Sequence, residues 1–221
     1  MRINKSTKLA IVFKNKPEKF LNGLTSNTLN SQKNAFLDRF GKIVVTFEQL
    51  KIDDDNFMIL IEEQFKIRLR DHLDKYLKLT GVRMEETDKK VYFDLDSDYR
   101  LALGEYLLRI GSGKLVVADK NLPDNISENE FRLYRLKNNL PLQGIDYDRE
   151  MLLNVSEEFA SFTKGCYLGQ EVIARTKSRS RPPKKLVIGY DDELDDIQKT
   201  KITSRAKESA GRELGFIFLD N

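Results

Sequence analysis

The chain has 221 residues, enough for one large domain or two small ones, and its 40% apolar and 33% charged residues predict a real core under a strongly solvated surface. Its net charge of +3 excludes a polyelectrolyte that binds nucleic acid along its whole length. One cysteine and one histidine exclude an internal disulfide and a conventional zinc site within one chain, so we expect no metal centre and a reducing compartment.

The N-terminal segment predicts a buried strand followed by a short helix. The strand is the apolar run Leu9–Phe13. This run is too short for a signal peptide or a membrane span, so we expect a cytoplasmic protein without membrane contact. Pro17 suits a first helical turn, after which Phe20, Leu21 and Leu24 form an apolar face.

Two turns follow, and each precedes a strand. Asp38–Gly41 separates the apolar pair Phe36-Leu37 from the strand-like run Lys42–Phe47, which is typical of a β-hairpin. Asp53–Asn56 precedes a buried strand at Phe57–Ile61. The carboxylates of this second turn lack the rest of an EF-hand loop and predict a solvated hairpin tip.

A long amphipathic helix is predicted from Glu62 to about Leu79, ending near Gly81. His72 lies off its apolar row, and we expect it at the surface. The apolar row consists of Phe65, Leu69, Leu73, Tyr76 and Leu77.

Four short strands and another helix come next. Ser127 and Glu130 have the spacing of a capping box, which predicts a helix from there to about Leu140 with Phe131 and Tyr134 on its buried side. The strands are predicted at Val82–Met84, Val91–Leu95, Tyr106–Ile110 and Leu115–Ala118.

The octapeptide Lys164–Glu171 contains the only cysteine, Cys166. The flanking glycines, Gly165 and Gly169, allow backbone conformations that a side chain forbids. The residues that follow predict a helix, whose positive N-terminal end favours a thiolate, as does the Lys164 ammonium if it faces the sulfur. The alternative is that Cys166 is a small buried apolar side chain.

A basic run follows the octapeptide and has no acidic residue inside it. It is either a solvated linker or an anion site, for example for RNA phosphates. Its side chains are Arg175, Lys177, Arg179, Arg181, Lys184 and Lys185. Three short strands are predicted beyond it, at Leu186–Tyr190, Lys201–Ser204 and Glu213–Leu219.

The octapeptide region resembles the motif of the YgfZ family, folate-binding proteins related to the aminomethyltransferase (T-protein) of the glycine cleavage system. Lys19–Asn27 with the turn Asp38–Lys42 is similar to the same family, and so is Arg135–Asp146, where Asn139 replaces a glycine and still suits a positive φ. Met151–Val155 lacks the glutamate with which T-proteins hold the pterin. The matching positions of the octapeptide region are Lys164, Gly165, Cys166, Tyr167, Gly169, Gln170, Glu171 and Arg175.

The resemblance implies an α+β fold of antiparallel sheets with packed helices. A folate-binding, aminomethyltransferase-like body would take residues 1–180, and a small, abbreviated C-terminal β-barrel-like module residues 181–221.

The resemblance also implies a site and its ligand. Cys166 and Lys164 are the expected reactive residues, beside tetrahydrofolate or a one-carbon-substituted folate, and the basic run would meet the folate's glutamyl tail. A soft thiol can attack a one-carbon unit, hold iron transiently or transfer a sulfur atom. The residues expected to bind the cofactor are Asn27, Asp38, Lys42, Arg135, Tyr167, Gln170, Glu171 and Arg175.

Three functions stay open at this point. The first is a YgfZ-like folate-binding protein that supports iron–sulfur cluster assembly or repair, with iron–sulfur proteins or assembly factors as partners. The second is a catalytic aminomethyltransferase that transfers a one-carbon unit to tetrahydrofolate, against which the missing glutamate and the short C-terminal module weigh. The third is a protein that contacts RNA through residues 175–185 and acts in tRNA modification.

Overall fold

A curled antiparallel sheet of seven strands is the centre of the molecule. The computed structural model describes residues 1–178 and 182–220. The strands follow the order β2-β3-β4-β1-β5-β7-β6. They are β1 (Ile3–Lys14), β2 (Lys33–Leu37), β3 (Ile43–Lys51), β4 (Asn56–Glu62), β5 (Arg83–Asp94), β6 (Tyr106–Ile110) and β7 (Gly113–Ala118).

A second antiparallel sheet of three strands lies near the C-terminus, in the order β8-β10-β9. Its strands are β8 (Lys184–Tyr190), β9 (Thr203–Lys207) and β10 (Glu213–Asp220). The helices are α1 (Glu18–Leu24), α2 (Lys66–Thr80), α3 (Glu128–Lys137), α4 (Leu152–Val155), α5 (Gln170–Ser178) and α6 (Asp196–Lys199). The fold is therefore α+β, as predicted, while the boundary expected at residues 180 and 181 lies outside the described residues.

The predicted strand Leu9–Phe13 is the middle of β1, which pairs with β4 on one side and β5 on the other. Ile11 and Phe13 pack in the cluster that contains the apolar faces of α1 and α2. Ala10 and Val12 point to the opposite face, into a cluster with α3. Because both faces of the sheet are covered, the strand is apolar at every position.

The two edge strands of the large sheet approach each other. Gln32, next to β2, reaches the backbone of Arg109 in β6; with its amide oriented to satisfy both groups, it donates to the carbonyl at 2.8 Å and accepts from the N–H at 3.3 Å. Because β2 and β6 are the two outer strands of the sheet, a contact between their ends requires the sheet to curl.

The predicted long helix is confirmed as α2, which ends at Gly81 with a left-handed φ of 70°. The expectation that His72 lies at the surface is wrong. Its ring is half-buried beside Phe36, at 6.2 Å between ring centroids, and its Nε2 has no partner among the described residues. Burial lowers the pKa of His72. Phe36 of β2 packs beside His72, a position of α2 that the apolar periodicity alone would predict to be exposed to solvent.

Two other predicted boundaries differ from the structure. Val82–Met84 and Val91–Leu95 largely belong to one strand, β5, because irregular pairing with β1 lets it continue through a polar middle section. The helix α3 ends at Lys137 rather than near Leu140. Asn139 has a φ of 49°, which confirms the left-handed conformation predicted for it.

The three-stranded sheet shares a core with the rest of the chain. Leu186 of β8 and Phe216 of β10 pack in one cluster with Tyr167 and with Ile173 of α5. Within the described ranges, the longest helix has 15 residues, and no helix combines the length and hydropathy that a membrane span requires.

Candidate functional site

The octapeptide forms the loop that leads into α5, which begins at Gln170. The predicted helix is confirmed, together with its ion pair between Glu171 and Arg175, 3.2 Å apart. Cys166 lies four residues before the helix and is exposed. The alternative of a buried apolar cysteine is therefore wrong, and the sulfur is open to an incoming molecule.

Lys164 is held by backbone carbonyls rather than by the thiol. Its Nζ donates to Thr25 O and Asn27 O, each at 2.8 Å. Burial lowers the pKa of Lys164 to about 8. About a tenth of its amine is therefore neutral at pH 7, far more than for an ordinary lysine, which suits a base or a nucleophile.

The Asn27 side chain is fully used by the fold. Its Nδ2 donates to Ser31 Oγ at 3.0 Å, Lys33 O at 3.0 Å and Glu158 O at 2.8 Å, and its Oδ1 accepts from Thr28 N at 2.8 Å. Asn27 thus fixes the carbonyl to which Lys164 donates. This arrangement makes it a positioning residue for the lysine.

The hairpin turn that contains Asp38 packs directly on the octapeptide. A Cβ at Gly169, where φ is 84°, would lie 2.6 Å from Asp38 O, and a Cβ at Gly41, where φ is 75°, would lie 3.0 Å from Val172 Cβ. Asp38 Oδ1 accepts from the backbone N of Lys42 at 3.0 Å and so closes the turn. Two stretches far apart in sequence are in this way brought together by glycine contacts.

The other octapeptide residues differ in their environment. Tyr167 is buried, and burial raises its pKa to about 12. Tyr167 and Gln170 line a shallow groove of about 260 Å³ with the half-exposed Phe162. Glu171 and Arg175 are exposed and paired with each other. Each of these residues lies near the thiol along the chain, and the first two have a cavity beside them.

Arg135 lies elsewhere and forms no hydrogen bond with the octapeptide within the described residues. Its guanidinium donates to Asp146 Oδ2 at 2.8 Å, Ser204 Oγ at 2.5 Å and Leu140 O at 3.3 Å. The side chain is only 3% exposed, and its Nε has no acceptor in the described part of the chain. An unsatisfied buried donor costs about 1–3 kcal/mol, so a ligand acceptor at this place is favoured.

A cavity of about 240 Å³, here called the arginine cavity, opens beside Arg135 between β1, α3 and β9. Its lining includes Asn4, Lys5, Phe93, Phe131, Arg135 and Ser204. The rings of Phe93 and Phe131 lie 4.9 Å apart, and Lys5 is exposed without an ion-pair partner among the described residues. Aromatic walls next to the unpaired Lys5 suit a flat ligand that carries a carboxylate, and Glu62 and Glu128 also line the cavity.

A buried charge cluster between the strands was not anticipated from the sequence. Lys8 Nζ lies 3.0 Å from Glu48 Oε2 and 2.9 Å from Glu62 Oε1. Burial opposes the charge on Lys8, but both carboxylates outweigh it and hold the pKa of the ammonium above its ordinary value. The sequence does contain a pattern that could have predicted this cluster, because each of these charged residues directly adjoins a buried apolar run.

Lysines of the basic run form ion pairs with acidic residues from other parts of the chain. Lys177 Nζ lies 2.7 Å from Glu157, and Lys184 Nζ lies 2.5 Å from Glu150. Arg175 is likewise paired with Glu171. These ion pairs favour a solvated linker over an anion site as the interpretation of the basic run. Arg179 and Arg181 lie outside the described residues.

No protein-family model matches the sequence. A Haemophilus influenzae protein of uncharacterised function is 25% identical over 185 residues, which are 77% of this chain and 66% of that protein. The chain thus spans about two thirds of that relative's length. Among solved structures, the glycine cleavage system aminomethyltransferase T from Bartonella henselae superimposes with a TM-score of 0.70 and 11% identity, over 97% of this chain and 77% of that one. This chain has the fold of that aminomethyltransferase.

The superposition includes the curled sheet and most of the rest of the chain, since it covers 97% of the residues. At 11% identity the likeness concerns architecture alone.

Proposed function

We propose that this chain binds tetrahydrofolate or a one-carbon-substituted folate, and that its exposed thiol serves iron–sulfur cluster assembly or repair, as the YgfZ resemblance implies. The observation that carries the folate part is the arginine cavity, which combines aromatic walls with the unpaired Lys5 and with the Nε of Arg135, which has no acceptor among the described residues.

The chemical groups of a folate complement the residues that line the arginine cavity. A folate has flat aromatic rings at one end and glutamate carboxylates at the other. Phe93 and Phe131 offer surfaces for the rings, while Lys5 and the free Nε of Arg135 offer donors to the carboxylates. Because charge-assisted hydrogen bonds are about twice as strong as neutral ones, the tail carboxylates would contribute much of the affinity.

The thiol is proposed to act on a partner protein. Cys166 is exposed and does not line the arginine cavity, so it meets incoming molecules from solvent. An exposed soft sulfur can hold iron or exchange sulfur with an iron–sulfur protein or an assembly factor. Free thiols persist in a reducing compartment, and we therefore place this function in the cytoplasm.

The resemblance also guides the remaining details. We propose that residues 1–180 are the folate-binding body and that the three-stranded sheet is an abbreviated counterpart of the family's C-terminal barrel. Asp38, Lys42, Gln170, Glu171 and Arg175 do not line the arginine cavity, and their contact with folate stays a prediction. Contact with RNA through residues 175–185 stays a prediction.

A second candidate is catalytic transfer of an aminomethyl one-carbon unit to tetrahydrofolate. The fold of the Bartonella aminomethyltransferase favours it, as does the lowered pKa of Lys164. The Met151–Val155 region without a glutamate weighs against it. Steady-state turnover with an aminomethyl-lipoyl carrier protein would place this candidate first.

The decisive experiment compares the wild type with Cys166→Ser. We expect both proteins to bind 5-formyltetrahydrofolate with the same affinity by calorimetry, because the exposed thiol lies outside the cavity. In a strain that lacks the gene, only the wild type should restore the activity of iron–sulfur enzymes. Full complementation by the serine variant would show that the thiol is not the working group, and absence of folate binding by the wild type would reject the ligand.

A further inference from the structure

An open groove, here called the helix groove, lies between the first turns of α2 and the start of β3. It has a volume of about 480 Å³, and the aliphatic side chains of Ile43, Val44 and Ile67 line it. Ile67 is 72% exposed although it belongs to a helix that packs on the core. Because an aliphatic side chain gains free energy when water leaves it, an apolar group from another molecule would be stabilised here.

The unpaired charge in the helix groove is positive. Arg149 lines the groove, is exposed, and has no ion-pair partner in the part of the chain that the structure describes. Arg68 is already occupied, since it donates to both oxygens of Asp148, at 2.5 and 3.1 Å. Asp71 also lines the groove, and Lys75, one turn further along α2, offsets its charge. Arg149 is therefore available to an incoming carboxylate.

The hairpin turn at one end of the groove adds two more cations. Asp38 lines the groove, and its Oδ1 is engaged by the backbone N–H groups of Phe40 at 2.8 Å and Lys42 at 3.0 Å. Arg39 and Lys42 are exposed and form no ion pair with any described residue. The Arg39 guanidinium lies 4.6 Å from the ring centroid of Phe40, which is 57% exposed. Aromatic and arginine side chains are the types that contribute most to protein interfaces.

The same turn connects the helix groove to the thiol. A Cβ at Gly169 would lie 2.6 Å from Asp38 O, so the turn touches the octapeptide. Gly169 follows Cys166 by three residues, which span at most about 10 Å of chain. A molecule that covers the turn and the groove is therefore brought close to the exposed sulfur.

Building on the proposed action of the thiol on a partner protein, we propose that the helix groove and the turn dock an acidic segment of that partner. An apolar side chain of the segment packs on Ile67, and its carboxylates meet Arg149, Arg39 and Lys42. RNA would supply anions but no aliphatic side chain, so the apolar lining favours a polypeptide. A groove of this size holds only a short segment, which suits a transient contact.

The first experiment measures binding of a defined probe by fluorescence anisotropy. The probe is a short labelled peptide in which leucines separate pairs of glutamates. Ile67→Ser and Arg149→Ser should each weaken its binding by about fivefold or more, because one removes apolar contact and the other a charge-assisted bond. The matched controls, Leu79→Ser and Arg100→Ser, should bind as the wild type does. Leu79 is an 84% exposed aliphatic residue on the same helix, and Arg100 is another exposed arginine.

Three results of this experiment would overturn the inference. The first is a wild type that does not bind the peptide, and the second is an equal loss of affinity in the controls. The third is a uridine oligonucleotide that displaces the peptide from the wild type and loses its own binding in Arg149→Ser, because the groove would then belong to RNA.

The second experiment uses the partner in the cell. In a strain that lacks the gene, Ile67→Ser and Arg149→Ser should restore less iron–sulfur enzyme activity than the two controls. Both substituted side chains are exposed, and an unchanged affinity for 5-formyltetrahydrofolate would verify that the variants fold. Full restoration by both variants would overturn the docking site while the proposed thiol function stands. Full complementation by Cys166→Ser would instead reject the thiol function, and the peptide measurements would then decide the fate of the groove.

Discussion

Lys164 shows how a single residue of the octapeptide is set by distant partners. Two carbonyls, 139 and 137 residues away along the chain, fix its Nζ, and burial lowers its pKa to about 8. A neutral amine retains two N–H donors, one for each carbonyl. The geometry therefore persists when the proton is lost.

The lowered pKa of Lys164 predicts a specific pH dependence of stability. An unfolded lysine has a pKa of about 10.4, so between about pH 8 and that value the unfolded chain binds a proton that the folded chain has released. The free energy of unfolding therefore rises with pH across this window, by less than about 1.4 kcal/mol per pH unit because solvent screens the half-buried Lys164. Lys164→Met should lose this rise in urea denaturation at about pH 8 and about pH 10.

The control for this prediction is Lys78→Met. Lys78 is an exposed lysine that pairs with Asp74 on the surface of α2, and its removal should leave the pH dependence of the wild type unchanged. Equal slopes for the wild type and Lys164→Met would contradict the lowered pKa.

At this scale the sequence predicted the local environment of a residue better than its contacts with distant parts of the chain. Exposure of Cys166 and the pairing of Glu171 with Arg175 follow from local pattern and resemblance. The partners of Lys164 and the free Nε of Arg135 do not, because they depend on contacts between residues far apart in the chain.

Among the elements, the contact between the hairpin turn of β2 and β3 and the entry to α5 is the closest. Gly169 and Gly41 lie at this contact, both with positive φ, and a side chain on either would meet the other segment. By contrast, a Cβ at Gly165 would have no atom within 4 Å. Of the two glycines beside Cys166, only Gly169 is therefore required by the backbone.

Alanine substitutions distinguish the closely packed Gly169 from Gly165, which has open space around it. Gly169→Ala should lower the free energy of unfolding by about 1–3 kcal/mol, because its Cβ would lie 2.6 Å from Asp38 O at an unfavourable φ. Gly165→Ala, the matched control, should change it by no more than about 1 kcal/mol. Chemical denaturation measures both. Equal effects of the two substitutions would show that the turn does not pack on the octapeptide in solution.

Strands and helices with strong local patterns were predicted close to their observed positions. The apolar runs of β1 and β4 and the periodic face of α2 are examples. The union of two predicted strands into β5 was missed, since its polar middle is held by pairing with β1 rather than by its own composition.

At the scale of the whole molecule, Asp146 connects the body to the C-terminal sheet. Its carboxylate accepts from Arg135 at 2.8 Å, Leu142 N at 2.8 Å, Thr203 Oγ1 at 2.7 Å and Ser204 Oγ at 2.5 Å. The Asp146 side chain is 0% exposed. Ser204 holds a φ of 49° in β9, which its two charged partners stabilise.

Loss of the charge on Asp146 should therefore weaken the whole assembly. Asp146→Asn leaves Arg135 as a buried unpaired cation and should cost about 3–5 kcal/mol. Asp192→Asn breaks an exposed pair with Arg212 and should cost about 1 kcal/mol or less. Denaturation gives the magnitudes, and hydrogen exchange over residues 184–220 should report faster opening only in Asp146→Asn. Similar values for both variants would refute this connecting role.

The assembly of the chain as a whole was the least accessible from the sequence. The α+β class followed from the resemblance, whereas the arginine cavity arises only where β1, α3 and β9 meet. No local periodicity encodes such a meeting point, because each wall belongs to a different part of the chain.

The central place of β1 also governs how the nascent chain matures. Both of its neighbours, β4 and β5, come after it along the chain, and each begins about 40 residues or more after β1 ends. Until they are translated, the apolar run Leu9–Phe13 has no sheet to join and is a target for chaperones or for aggregation. The pairing of β1 on both sides is thus a late event that waits for the synthesis of β5.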